Sequence, residues 1–242
     1  MRFYRFHTIE QLNDDIELVL DKAQSSHIGR VLRLRVGQEI ILFNGDGFDY
    51  QGQIIDDGKI IRVHINARSQ NLATPSLNIH LAQALARGDR MDYAIQKAVE
   101  MGVSEITPLI TEYTQVKLDQ KRLAKKLNHW QGVITAALEQ SGRADKVQLN
   151  EPQSFIDWSQ ATTNSCVYLH PRTSNQMADV VTRFKNTPHE QIQIAIGPEG
   201  GFSDSEMSGV ASDNIVAIGP RILRTETAAT AVLAILQHAL SG

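Results

Sequence analysis

The 242-residue chain reads as an α/β protein preceded by a small β-rich unit, and three observations predict this. From residue 77 onward, helical patterns alternate with short apolar strands, which implies a largely parallel sheet with helices on both faces. Before residue 70 the pattern is a run of short strands separated by turn residues, as in an antiparallel meander. Near the C-terminus two apolar strands, 192–196 and 215–218, break into loops rich in glycine, proline and charge. Loops leaving the carboxyl ends of parallel strands are where open α/β sheets bind small molecules. The expected units are residues 1–70 and 71–242. Their linker is 69–76, which is polar, contains Pro75 and has no periodicity.

Composition narrows the field. A formal charge of −3 provides no global positive field to draw in nucleic acid, so an RNA reading must rest on local basic patches. Cys166 is the single cysteine, which excludes an intrachain disulfide and argues against a structural zinc site. Arg2 and Arg5 are not followed by the apolar core of a signal peptide. The longest apolar run, 228–236, is too short to span a bilayer. The default is a cytoplasmic enzyme or binding protein without a membrane segment or metal.

In the first unit, residues 2–6 alternate polar and apolar side chains and predict a strand. Residues 39–43 form an apolar strand, and Asn44-Gly45-Asp46-Gly47 follows with residues that tolerate tight turns. Residues 50–55 pair back, and Asp56-Asp57-Gly58 turns into 59–67, where Ile61, Val63 and Ile65 alternate with Arg62, His64 and Asn66. Between the first strand and the meander, Arg30, Arg33 and Arg35 fall near the end of a helix. They either cover apolar surface with solvated head groups or form a phosphate-contacting patch.

In the second unit, Leu77, Ile79 and Leu81 start a strand that ends at Ala84. Asp89 is placed to cap a helix in which Met91, Ala94, Ile95, Ala98 and Val99 share a face. Gly102 sits where a glycine ends such a helix. Residues 106–110 form the next strand. A long helix over 117–138 places Leu123, Leu127, Trp130, Ile134 and Ala137 on one face, and its first half is basic. Glu139-Gln140-Ser141-Gly142-Arg143 closes it as an ordinary glycine cap followed by a cation. Residues 166–169 are a short buried strand running into His170-Pro171-Arg172.

The two C-terminal loops carry the chemistry. In Ile196-Gly197-Pro198-Glu199-Gly200-Gly201-Phe202-Ser203 the glycines allow close backbone approach to a ligand, and Pro198 shapes the loop in advance. Ser203 and Glu206 have capping-box spacing. The phosphate-binding and dinucleotide glycine motifs are missing, as are paired metal ligands. In Ile218-Gly219-Pro220-Arg221-Ile222-Leu223-Arg224-Thr225-Glu226-Thr227-Ala228, Thr225 or Thr227 can cap the following helix. That does not explain Arg224, a cation near a positive helix terminus.

The strings Arg87-Gly88-Asp89-Arg90-Met91, Gln96-Lys97, Glu100-Met101-Gly102-Val103, 139–143, 196–203 and 219–228, with His27-Ile28-Gly29-Arg30-Val31-Leu32-Arg33 near the start, resemble the RsmE family. These are 16S ribosomal RNA N3-uridine methyltransferases of the SPOUT class. The resemblance covers effectively the whole chain. It departs at Tyr113-Thr114, where the family often has arginine then serine or cysteine, and at Arg87, where lysine is common.

The resemblance implies a PUA-like β-barrel that binds RNA, followed by an α/β trefoil-knot domain with a parallel sheet. It further implies S-adenosylmethionine held by three loops: Leu169, His170 and Pro171; Gly197, Pro198, Glu199, Gly200 and Gly201; and Ile218, Gly219, Leu223, Arg224, Thr225, Thr227 and Ala228. The protein would act as a homodimer on 16S rRNA, expectedly in the assembled 30S subunit. Methylating uridine N3 requires the imide proton to leave. Arg224, Glu226 and Glu199 are the candidate catalytic residues, Arg224 stabilising charge while a carboxylate or solvent takes the proton. The candidate RNA contacts are Arg5, Arg30, Arg33, Arg35, Arg87, Arg90 and Arg143. The alternatives are a SPOUT-class enzyme acting on another RNA, and a non-catalytic RNA-binding or ribosome-assembly protein.

Overall fold

The structure is a computed structural model that describes residues 4–114, 120–162, 165–187 and 190–241. Arg2 and Phe3 of the expected first strand and Lys117 of the expected long helix lie outside the described residues. The chain separates into two compact units, Met1–Thr74 with Leu138–Lys146, and Pro75–Ala137 with Val147–Gly242.

The first unit holds β1 (Tyr4–His7), β2 (Glu17–Val19), β3 (Glu39–Phe43), β4 (Phe48–Asp56) and β5 (Arg62–Gln70) in the order β1-β3-β4-β5-β2. β3, β4 and β5 form the expected antiparallel meander, whereas β1 joins β3 in parallel. In β4, Tyr50, Gly52 and Ile54 are buried while Gln51 and Gln53 face outward, the two-residue period of a half-buried strand. Ile28, Ile40, Leu42, Ile54, Val63 and Ile65 make the core. The expected basic helix is shorter. α1 (Lys22–Ser26) starts where the Asp21 carboxylate accepts the Gln24 amide at 2.8 Å, and it passes into a π-helical turn, His27–Val31.

The segment Leu138–Lys146 belongs to this first unit, although its sequence reads only as a helix end. Gly142, at φ 82°, turns the chain, and its carbonyl accepts the Asn71 side-chain amide at 2.8 Å. The Ala144 carbonyl accepts the Gly47 amide at 3.0 Å. These partners are distant in sequence, so no local pattern announces them.

The second unit contains, in chain order, β6 (Ile79–Ala84), α2 (Asp89–Glu100), β7 (Glu105–Ile110), α3 (Gln120–Ser141, whose last residues count with the first unit), β8 (Gln148–Leu149), β9 (Gln153–Ser154), α4 (Phe155–Gln160), β10 (Cys166–Leu169), α5 (Met177–Asn186), β11 (Ile192–Ile196), α6 (Asp204–Met207), β12 (Ile215–Val216) and α7 (Thr225–Leu240). The sheet order is β12-β10-β11-β6-β7-β8, with β9 also on β7, and every pairing is parallel. β6 and β11 are buried along their whole length, as strands covered on both faces must be. α7 packs on α2 and α5 through Ala229, Val232, Leu233 and Leu236.

Two expected caps differ. Gly88, at φ 59°, precedes α2 without a side-chain cap, and Asp89 is instead the first helical residue, where its charge favours the helix dipole. Arg224 occupies the cap position of α7, and Thr225 is already helical.

This topology creates the site. From β6 the chain moves outward to β7 and β8, then returns to the other side, where β11 lies between β6 and β10. The strand order thus reverses between β6 and β11, and a crevice opens at the carboxyl ends. No helix among the described residues is long and apolar enough to cross a membrane.

Candidate active site

The loops that follow β10, β11 and β12 enclose a cavity of about 280 Å³. The first contributes Leu169, His170 and Pro171; the second Gly197, Pro198, Glu199 and Gly201; the third Ile218, Gly219, Leu223, Arg224 and Thr225, with Ala228 from α7. Gly200 and Thr227, expected alongside them, are not part of this lining. Val216 and Ala217 line it from outside the expected loops, and Ile196, Arg221 and Ile222 line it from within them although they were not among the expected cofactor contacts. Their signal was available, because apolar strand ends and exposed loop residues continue directly into the loops already singled out.

Glycine is structural in the second loop. A Cβ on Gly197 would lie 3.1 Å from the Gly201 carbonyl carbon and 3.2 Å from the Phe202 nitrogen, both rigid backbone atoms. Gly201, at φ 76°, returns its amide to the Pro198 carbonyl at 2.9 Å. Beyond the loop the expected capping box is formed: Ser203 Oγ accepts the Glu206 amide at 3.2 Å, and Glu206 Oε2 accepts the Ser203 amide at 2.9 Å.

A buried hydrogen-bond chain ties three elements together beneath the cavity. Gln83 Nε2, at the end of β6, donates to Thr225 Oγ1 at 2.7 Å, and that hydroxyl donates to the Gly197 carbonyl at 2.8 Å. This explains why Thr225 does not cap its own helix. Gln83 is fully buried, and its Oε1 has no hydrogen-bond partner among the described residues. Sequence reasoning missed Gln83. A polar residue in a central strand whose one other polar member is His80 was the signal.

The charged candidates divide. Arg224 is exposed at the cavity wall and pairs with no carboxylate among the described residues. Glu226 lies in the first turn of α7 outside the lining, and its Oε2 is buried without a partner. Glu199 Oε1 accepts a hydrogen bond from Arg90 Nη1 at 2.6 Å, in an ion pair whose side chains are 41% and 42% exposed.

Glu199 also lines a second, more open cavity of about 840 Å³, shared with Arg87, Arg90, Glu112, Tyr113 and Gly200. The hydroxyls of Ser203 and Ser205 hold the Glu112 carboxyl below its usual range.

Of the expected RNA contacts, Arg30, Arg33 and Arg35 are exposed in the first unit, Arg35 lying 3.8 Å from Asp57. Arg87 is exposed and Arg90 half-exposed in the second. Arg5 and Arg143 require correction. Arg5 makes two 2.8 Å bonds to the Asp49 carboxylate, and Arg143 is 2% exposed and pairs with Asp145. Both guanidiniums are therefore engaged within the first unit rather than presented to a ligand, since an arginine so buried needs its counter-charge.

The family model described as RNA methyltransferase domain matches residues 73–237, and the RNA methyltransferase PUA domain matches 20–65. Ribosomal RNA small subunit methyltransferase E of Buchnera aphidicola (subsp. Schizaphis graminum) is 30% identical over 233 residues, covering 94% of this chain and 92% of the relative. A methyltransferase structure from Legionella pneumophila with bound SAM superposes at a TM-score of 0.89, with 35% identity over 99% of this chain and 98% of that one. The Neisseria gonorrhoeae ribosomal RNA small subunit methyltransferase E bound to S-adenosyl methionine gives 0.87, with 30% identity over 98% of both chains. Full-length similarity in both units, joined to a cavity built by the three loops at the reversal of the sheet, places this chain in the ribosomal RNA small subunit methyltransferase E family.

Proposed function

We propose that the protein transfers a methyl group from S-adenosylmethionine to N3 of a specific uridine in 16S ribosomal RNA, in the assembled 30S subunit, acting as a cytoplasmic homodimer. The observation that carries this reading is the cavity beneath the three loops at the carboxyl ends of β10, β11 and β12. Its residues fit the methyl donor. Leu169, Ile196, Val216, Ile218 and Leu223 supply apolar walls for a flat purine, and the glycine turn at 197–201 leaves room where a Cβ would intrude. We read the same three loops as the strands of a trefoil knot.

When bound, S-adenosylmethionine supplies an electrophilic methyl group on a sulfonium. The protein's residues must expose a lone pair on N3. That atom carries a proton in neutral uridine and lies on the Watson–Crick edge, so the base has to be unpaired or extruded. Arg224, a cation at the cavity wall without a carboxylate partner, stabilises the charge that develops on O2 and O4. Of the two carboxylates, Glu199 already accepts from Arg90, whereas Glu226 has an oxygen without a partner. Glu226 lies outside both cavities, so Glu199, which lines both, or solvent takes the proton.

The first unit, residues 1–70 with the later segment, binds RNA through Arg30, Arg33 and Arg35, exposed around the turn after α1. Arg87 and Arg90 serve the second unit. The test is to offer methyl-labelled S-adenosylmethionine with unmodified 30S particles and with naked 16S RNA, digest the RNA and identify the methylated nucleoside. N3-methyluridine from 30S particles is the expected product. A different nucleoside would reassign the substrate, and no saturable donor binding would leave only an RNA-binding role.

A further inference from the structure

Beside the methyl-donor site lies a larger cavity of specific composition. Tyr113 stands on it with 47% of its surface exposed. An aromatic side chain that open on a loop is commonly mobile, but this loop is held on several sides. The Thr114 amide donates to the Thr111 carbonyl at 3.0 Å, and Thr114 Oγ1 accepts the Thr111 amide at 2.9 Å. The Glu112 amide donates to Glu206 Oε1 at 2.9 Å, and Ser205 Oγ donates to Glu112 Oε2 at 2.9 Å. Residues 111–114 are thereby tied to the α6 turn that closes the glycine loop. The ring also lies against that loop: a Cβ on Gly200 would come within 3.2 Å of Tyr113 Cβ and 3.4 Å of its ring carbons.

The rest of the cavity is cationic where the ring is apolar. Arg87 is exposed and pairs with no carboxylate among the described residues. Arg90 bridges to Glu199, the one charged residue common to this cavity and the methyl-donor cavity. An exposed aromatic ring on a braced loop beside two guanidiniums is the arrangement that recognises an unstacked nucleobase and its flanking phosphates.

We propose that this cavity receives the acceptor nucleotide, an extruded pyrimidine stacked on Tyr113 with its phosphates toward Arg87 and its N3 edge turned past Glu199, the residue this cavity shares with the methyl-donor site. The proposal rests on the methyltransferase reading above and assigns the substrate base a place within it. The loop that carries the ring is tied down before RNA arrives, so ordering it adds little to the cost of stacking.

The test compares Tyr113→Ala and Tyr113→Phe with wild-type protein in steady-state methyl transfer to 30S particles, with calorimetric titration of S-adenosylmethionine into each. Stacking of one base on an aromatic ring corresponds to roughly a five- to hundredfold change in affinity. Tyr113→Ala is expected to raise the KM for 30S particles by that factor with a smaller change in the donor Kd, since the ring lies against Gly200 of the donor loop. Tyr113→Phe, which keeps the ring, is expected to stay within about twofold of wild type on the same scale. An unchanged KM in Tyr113→Ala, or equal impairment in both variants, would overturn the assignment. Absence of methyl transfer by the wild-type protein overturns the underlying reading instead, and is seen before any variant is compared.

Discussion

Thr225 Oγ1 donates a 2.8 Å hydrogen bond to the Gly197 carbonyl, joining the start of α7 to the glycine loop after β11. The same oxygen accepts from Gln83 Nε2 at 2.7 Å, so one hydroxyl fixes two of the three cavity walls to the central strand. Replacing it with valine leaves a buried amide without its partner, which costs about 1–3 kcal/mol. Thr225→Val is expected to lower stability in urea melts by that amount and to weaken S-adenosylmethionine binding in calorimetry. Thr225→Ser, which keeps the hydroxyl, should retain most of both.

Arg224 stands at the cavity wall with its charge uncompensated among the described residues. If it stabilises the developing oxyanion, Arg224→Ala lowers kcat by roughly 10²–10³-fold, the effect of losing one such donor. Single-turnover rates with saturating 30S particles measure this. Full turnover with a loss confined to RNA affinity would transfer Arg224 from chemistry to binding.

Arg30 is exposed beyond the Asp21-capped α1. A phosphate contact there makes binding salt-dependent through counterion release. Arg30→Ala is expected to weaken 16S RNA binding and to reduce the slope of log K against log salt by about 1. An unchanged slope across a salt titration would remove Arg30 from the interface.

His80 lies within β6, its Nε2 2.7 Å from Thr107 Oγ1. Burial holds its pKa below the ordinary 6.5, opposed by the nearby Glu105 carboxylate. The folded protein therefore keeps the ring neutral where an unfolded chain would protonate it. Its contribution to stability is complete above pH 6.5 and is lost as pH falls from there through the folded-state pKa. Melting temperature should drop across that window, and His80→Gln should flatten the drop. Some slope will remain, because burial lowers His7 in the same direction.

Much of this architecture is legible locally. The alternation in β4 and β5, the apolar face of α2, the capping box at Ser203 and Glu206, and the glycine turn at 197–201 each depend on residues a few positions apart. Periodicity and turn chemistry report such neighbours directly. The two charged loops were recognisable for the same reason, since their unusual composition is contiguous.

Other features depend on pairings across the chain. Gln83 and Thr225 are 142 positions apart, and Arg90 and Glu199 are 109 apart. Arg143 reads as a helix-end cation but is buried with Asp145 in a segment that packs with the first unit. Arg5, expected as an RNA contact, is held by Asp49. The sequence by itself therefore determined the two kinds of sheet, the helices and the loops that enclose the 280 Å³ cavity, because those follow from local periodicity and contiguous composition. Only the tertiary structure decided which arginines remain available to a ligand, that Gln83 braces the cavity, and that Tyr113 faces a second one. A side chain's partners and exposure are set by whichever distant segment the fold brings beside it.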